Sequence, residues 1–211
     1  MTERRLWLVR HAPVAGPHGV VHAPEAPADT GNAAAIASLR ATLPAGATAV
    51  ASTAQRTRDT ANALGLTFQL EDAFREQNFG VWTGRRHDEL ERELGDTYRA
   101  FWRAAAENRP PDGESFCDQI ARVRDGLARL PAGDVVLIVH SGTVRAALAI
   151  ALDLRPDRAL SFFVDPWSLT RIDHLARDWR VVCVNRSLVS RFRSSDALVE
   201  ASNELRNRSG H

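Results

Sequence analysis

Residues Asp134 to Gly142 read DVVLIVHSG, and this stretch decides the fold. Its apolar residues, Val135 to Val139, run without polar alternation and are mostly β-branched. That is the pattern of a strand covered on both faces. The strand reads as Asp134 to His140, and a helix from Thr143 to Leu152 follows at once. Outward from this centre the same pairing recurs. Arg5 to Arg10 (RLWLVR) is a short buried strand, followed by a Pro-, Gly- and His-rich loop over residues 12–30. Asp29-Thr30 offers an N-cap to a helix from Gly31 to Leu43, stopped by Pro44. Thr48 to Ser52 is a strand, Thr53 to Leu64 a helix stopped by Gly65, and Thr67 to Leu70 a third strand. Glu114 to Leu130 is a helix with Ser115 and Asp118 as a capping pair. Leu169 to His174 and Arg180 to Val184 read as two last strands around a turn at Ala176–Trp179.

Strands alternating with helices predict an α/β three-layer sandwich: a mostly parallel central sheet with helices on both faces. The chain of 211 residues suits a single domain. Residues 71–111 differ in character, being charged and carrying Trp82 and Trp102. Helices over His87 to Leu94 and Thr97 to Glu107 make this segment a helical insertion, or lid, over the carboxyl edge of the strands. The Ser-, Arg- and Asn-rich residues 185–211 read as a tail that frays.

Composition removes several functions. There are 27 basic and 26 acidic residues, a formal net charge of +1, and every basic residue is arginine. The absence of lysine excludes a Schiff-base lysine and a Walker-type phosphate loop. Near-neutral charge argues against nucleic acid as a partner. Cys117 and Cys183 cannot form a CxxC metal site, and read as small packing side chains in a reducing compartment. No segment approaches the roughly 18 apolar residues of a membrane span. Leu6 to Val9 is too short for a signal peptide, so the expected location is cytoplasmic.

In open α/β sheets ligands sit beyond the carboxyl ends of the strands. Three predicted strands end there in polar groups: Arg10-His11, Ser52 with Arg56 just beyond it, and His140-Ser141-Gly142. A cation in the first turn of a helix is disfavoured by the helix dipole, so Arg56 calls for a negative neighbour. Two guanidiniums, two imidazoles and the N–H groups opening the Thr143 helix together suit a phosphoryl group. Taken singly, each of these residues has an ordinary packing or ion-pairing role; the convergence carries the reading. His11, His18 and His22 are close along the chain, but their spacing matches no common metal-ligand motif.

The motifs LVRHAPV (Leu8 to Val14), ASTAQRTRDTA (Ala51 to Ala61), FREQNFGVWTG (Phe74 to Gly84), PPDGES (Pro110 to Ser115) and IVHSGTVRAAL (Ile138 to Leu148) resemble, in order, those of the histidine phosphatase superfamily, phosphoglycerate mutase-like branch. The resemblance implies that His11 is a nucleophile that becomes phosphohistidine. It implies that Arg10, Arg56, His140 and Ser141 bind the phosphoryl group, with His140 protonated. Glu76 is implied as general acid/base; acting as acid requires a raised carboxyl pKa, which a phosphate-bearing, partly closed pocket would supply. No cofactor and no metal are implied, and the partner is a small phosphorylated substrate met by a monomer or homodimer. Three positions depart from the family pattern: Ala12 replaces a usual glycine, Pro17 a frequent asparagine, and Thr83 a usual acid. The Arg-His-Ala-Pro opening is similar to that of α-ribazole phosphatases of cobalamin assembly, which makes α-ribazole 5'-phosphate an expected substrate. A phosphoglycerate mutase-like phosphotransferase and a non-catalytic phosphate binder are the alternatives. The modest Gly80–Pro111 segment favours hydrolysis, because the resembling mutases carry larger insertions.

Overall fold

A computed structural model describes residues 3–176 and 178–188. Six strands form one sheet: β1 (Arg4–Arg10), β2 (Thr48–Ala51), β3 (Phe68–Leu70), β4 (Gly133–Val139), β5 (Leu169–His174) and β6 (Trp179–Arg186), in the order β3-β2-β4-β1-β5-β6. The first four in that order are parallel; β5 and β6 run antiparallel and close one side as a hairpin. The helices are α1 (Ala33–Thr42), α2 (Gln55–Ala63), α3 (His87–Leu94), α4 (Asp96–Arg103), α5 (Phe116–Arg129), α6 (Ser141–Leu152) and the short α7 (Pro156–Ala159).

The two-residue period of a strand sorts its side chains onto two cores. Leu6, Leu8, Val135, Leu137 and Val139 pack with residues of α5 and α6 on one face. Val9, Val136, Ile138, Ala49 and Ala51 pack with residues of α1 and α2 on the other. β4 is covered on both faces because it lies between β1 and β2, as its unbroken apolar run requires.

Boundaries differ from the sequence reading where side chains compete for backbone groups. The N-cap of α1 is Asn32, whose side chain accepts the Ala35 N–H, while Asp29 instead takes the Gly31 N–H in a local turn. Helix α4 stops at Arg103, short of Glu107. Trp179, read as part of a turn, opens β6, and the strand continues through Asn185 and Arg186 into residues assigned to the tail. The remainder of the predicted tail, from residue 189, lies outside the described residues. Helix α7 went unread because four residues carry no periodicity.

Between β3 and α5 the insertion has its own small core of Trp82, Leu90, Tyr98 and Phe101, joined by Val21 from the loop after β1. That loop is stitched to the insertion by Val21 N–H to Arg85 O (2.9 Å), Gly84 N–H to Val21 O (2.6 Å) and His87 N–H to Gly19 O (2.9 Å). Gly80, at φ +53°, lies so close to Pro111 that a Cβ would overlap the carbonyl oxygen, which seats the insertion on the Pro110–Gly113 turn. Ser115 and Asp118 form the expected reciprocal cap of α5. Replacing Ser115 by alanine is expected to cost about 1 kcal/mol. For a chain of this size that lowers the thermal midpoint by about 2–4 °C. Calorimetry checks it, and an unchanged midpoint would deny the cap that role.

Candidate active site

The strand register puts the polar strand ends together. Arg10 pairs with Val139 and Ala51 with Ile138, so the residues that follow share one sheet edge. The His11 N–H continues the ladder to Val139 O (2.9 Å) and the Ser52 N–H to Ile138 O (3.1 Å). Arg10 is gripped from the other side, its N–H on Ser168 O and its carbonyl accepting the Trp167 N–H, both at 3.1 Å. Trp167 reaches that carbonyl from a left-handed backbone (φ 61°), unusual for a bulky residue.

His11 is buried, and its Nδ1 lies 2.5 Å from Ala12 O. A carbonyl only accepts, so Nδ1 carries the proton and Nε2 is left with its lone pair. Ala12, in the place of the usual glycine, is fully buried; its N–H donates to Thr60 Oγ1 (2.9 Å), whose hydroxyl donates to Arg56 O (2.7 Å). The rings of His11 and His140 meet edge to face at 5.0 Å. His140 is fully buried, with Nε2 on Ser52 Oγ (2.7 Å) and Nδ1 without a partner. Arg56, also buried, donates to Ala23 O (3.0 Å) and so ties α2 to the loop after β1.

Glu76 comes from the insertion and docks on the start of α6. Its Oε1 accepts the Gly142 N–H (3.0 Å) and the Gln119 Nε2–H (3.2 Å), and Oε2 accepts the Ser141 hydroxyl (3.2 Å). A Cβ at position 142 would overlap this carboxylate, so glycine is required by close approach. The segment leading to Glu76 is held by Arg122, which donates to Ala73 O, Arg75 O and Glu76 O and pairs with Glu114, and by Thr143 on Phe74 O (2.9 Å).

The charge states follow. Burial, then the neighbouring cations, push His11 and His140 well below the usual histidine range, so both rings are neutral. Burial tends to raise the Glu76 pKa, but Arg56, the Gln119 and Gly142 hydrogen bonds and Arg10 outweigh it, and the carboxyl lies below its ordinary value. The expected raised carboxyl and protonated His140 are therefore not what these surroundings favour. For His140 the cause is burial first and the guanidiniums second; for Glu76 it is Arg56 first, with the hydrogen bonds from Gln119 and Gly142 and the charge of Arg10.

The structure thus brings His11, Arg10, Arg56, His140, Ser141 and Glu76 together, with Ser141 on Glu76. Ser52, read as a polar strand end, holds His140, while Thr60, Gln119, Arg122 and Thr143 were missed. Gln119 had left a trace, as a polar residue on the apolar stripe Phe116, Ile120, Val123. On the insertion, Arg85 and Arg86 pair with Glu93 and Asp88, and Trp82 is core. Among the described residues, no group of three or more His, Cys, Asp or Glu is arranged for a metal ion, and no helix is long and apolar enough to cross a membrane.

Fold and site together define an α/β protein with paired histidines and arginines gathered at the carboxyl edge of its sheet. The chain matches the histidine phosphatase superfamily (branch 1) over residues 6–187 and belongs to that family. It superposes on a mycobacterial glucosyl-3-phosphoglycerate phosphatase with a TM-score of 0.75 at 25% identity, covering 88% of this chain and 100% of that one. The α-ribazole phosphatase of Shigella flexneri gives 0.75 at 22% identity, covering 90% and 100%, a likeness of fold. A 2,3-bisphosphoglycerate-dependent phosphoglycerate mutase of Nitrobacter winogradskyi is 28% identical over 103 residues, 46% of this chain and 50% of that protein. The chain spans about a third to a half of the length of the first curated relatives it matches.

The neutral histidines make stability depend on pH. Their folded pKa values are depressed, so the unfolded chain binds protons that the folded chain refuses. Stability is complete above the unfolded value of about 6.5 and declines as pH falls below it, by up to about 2.7 kcal/mol per pH unit for two rings. Urea midpoints between pH 7.5 and 5.5 read this directly, and a flat profile would contradict the neutral assignment.

Proposed function

We propose that the protein hydrolyses phosphomonoesters of small metabolites through a phosphohistidine on His11. The observation that carries this is the tautomer of His11: a buried, neutral ring with Nδ1 committed to Ala12 O and Nε2 free, beside two guanidiniums and a carboxylate. Nε2 attacks phosphorus in line, forming the N–P bond as the P–O bond to the leaving group breaks. Arg10, Arg56 and His140 bind the phosphoryl oxygens, acting by position and charge. The proton on Glu76 goes to the departing alkoxide. Water then attacks phosphorus, Glu76 takes its proton, and the N–P bond breaks to return neutral His11 and inorganic phosphate. Ser141 holds Glu76 in this scheme and is not a phosphoryl ligand.

Arg56, the Gln119 and Gly142 hydrogen bonds and Arg10 favour an ionised Glu76 before substrate binds. The catalytic proton enters with the substrate monoanion and passes to Glu76 once the phosphoryl charge offsets Arg56 and Arg10. For an alkyl phosphate with a second pKa of about 6, kcat/KM is then highest below that value and falls about tenfold per pH unit above it. A rate unchanged from pH 6 to 8 would contradict this route. All charge stabilisation in the scheme comes from side chains. Activity on p-nitrophenyl phosphate is therefore expected to survive EDTA and to be lost in His11→Ala; a fully active His11→Ala would refute the nucleophile.

The substrate class rests on similarity to phosphatases of phosphorylated small molecules. A screen begins with glucosyl-3-phosphoglycerate and α-ribazole 5'-phosphate. The mutase relatives supply its control: phosphate appearing on 3-phosphoglycerate rather than in solution would make the protein a phosphotransferase.

A further inference from the structure

We infer that Gln119 is a positioning residue whose side-chain amide serves both protonation states of Glu76, donating to the carboxylate and, after turning over, accepting from the carboxylic acid. The inference rests on the general acid/base role proposed for Glu76. Gln119 is fully buried on α5. Its Nε2 faces two oxygens, Glu76 Oε1 at 3.2 Å and Arg75 O at 3.3 Å. Neither a carboxylate nor a carbonyl can donate, so this orientation of the amide follows from its partners. The cost is that Oε1 has no partner at all. Buried acceptors are ordinarily paired, and one left over at a reacting group calls for a reason.

A proton on Glu76 supplies that reason. The acid form needs an acceptor where the carboxylate needed a donor, and rotation of the amide about its last bond exchanges the two. The Arg75 carbonyl keeps Arg122 (2.9 Å) and Thr143 (3.3 Å) as donors after the exchange, and the turned amide oxygen, an acceptor like the carbonyl, has to lean away from it towards the Glu76 proton. Both amide atoms and the carboxylate crowd the space above Gly142, where a Cβ would meet all of them. The other groups bearing on Glu76 do not offer this choice. Arg56 and Arg10 are permanent cations, the Gly142 N–H only donates, and Arg122 binds the backbone of residue 76. The Ser141 hydroxyl can turn, but it addresses Oε2. The Gln77 N–H, 3.2 Å from Oε1, likewise only donates.

The test is the pH profile of kcat/KM on an alkyl phosphate for Gln119→Met, which keeps length and loses both functions, and Gln119→Glu. Loss of the donor weakens the carboxylate, so the acid limb moves up by about one pH unit in the methionine variant and further in the glutamate variant, where two carboxyls share one site. In Gln119→Met, kcat falls roughly tenfold while KM changes little, as expected when an interaction with the reacting proton is removed. A role in packing alone would leave the limb in place. In the unmodified protein, the Gln119 side-chain amide signals in a 15N–1H spectrum titrate with the midpoint of that limb. An unmoved limb in both variants, or amide signals indifferent to it, overturns the inference. Glu76→Gln separates the two layers: if that variant keeps full activity on the alkyl phosphate, the role of Glu76 itself fails.

Discussion

Positive charge held at the carboxyl edge of the sheet is the constraint around which this molecule is arranged. The guanidiniums of Arg10 and Arg56 stand beside two buried imidazoles, where water screens little. Such a group cannot be left uncompensated; removing one partner of a buried pair costs more than the pair contributes. Glu76 is the carboxylate that bears on both guanidiniums. Much of the insertion's attachment serves to deliver it. Arg122 gathers the carbonyls of Ala73, Arg75 and Glu76, Thr143 holds that of Phe74, and Gly142 clears the space for the carboxylate.

The same constraint explains which parts of the fold and site were legible in the sequence. The β4 run, the α5 capping pair and the polar strand ends were readable, because burial on two faces, helix termini and sheet edges each leave a local pattern. The residues that support the site leave none. Thr60 reads as an ordinary helical threonine until Ala12 is found donating to it. Arg122 reads as one more charged residue on an amphipathic helix, though its guanidinium meets residues 73–76 from across the chain. Contacts of this kind join positions more than forty residues apart, and no period or spacing announces them. The boundaries that shifted did so for local reasons of the same sort, as when Asn32 rather than Asp29 capped α1 by taking the Ala35 N–H.

The proposed reaction asks for a proton on His140 and on Glu76 while the phosphoryl group is bound. Burial first and the arginines second keep both histidines neutral, while Arg56, the Gln119 and Gly142 hydrogen bonds and Arg10 keep Glu76 ionised. In that reaction a phosphoryl dianion between the guanidiniums would offset their field, the part of these tendencies that does not come from burial. That change favours a proton on His140 and on Glu76, while burial continues to favour a neutral His11.

That arrangement asks for a cation that does not itself titrate. An ammonium group among neutral imidazoles, largely out of water, would be drawn towards its uncharged form by the same burial that keeps the rings neutral. A guanidinium stays charged; burial lowers Arg56 from its usual value, but Glu76 and Glu25 act against the shift. Its planar fork also fixes direction, so one arm can hold the Ala23 carbonyl while the group stays among the site residues. The chain has no lysine at any position, and at Arg10 and Arg56 the chemistry would not have admitted one.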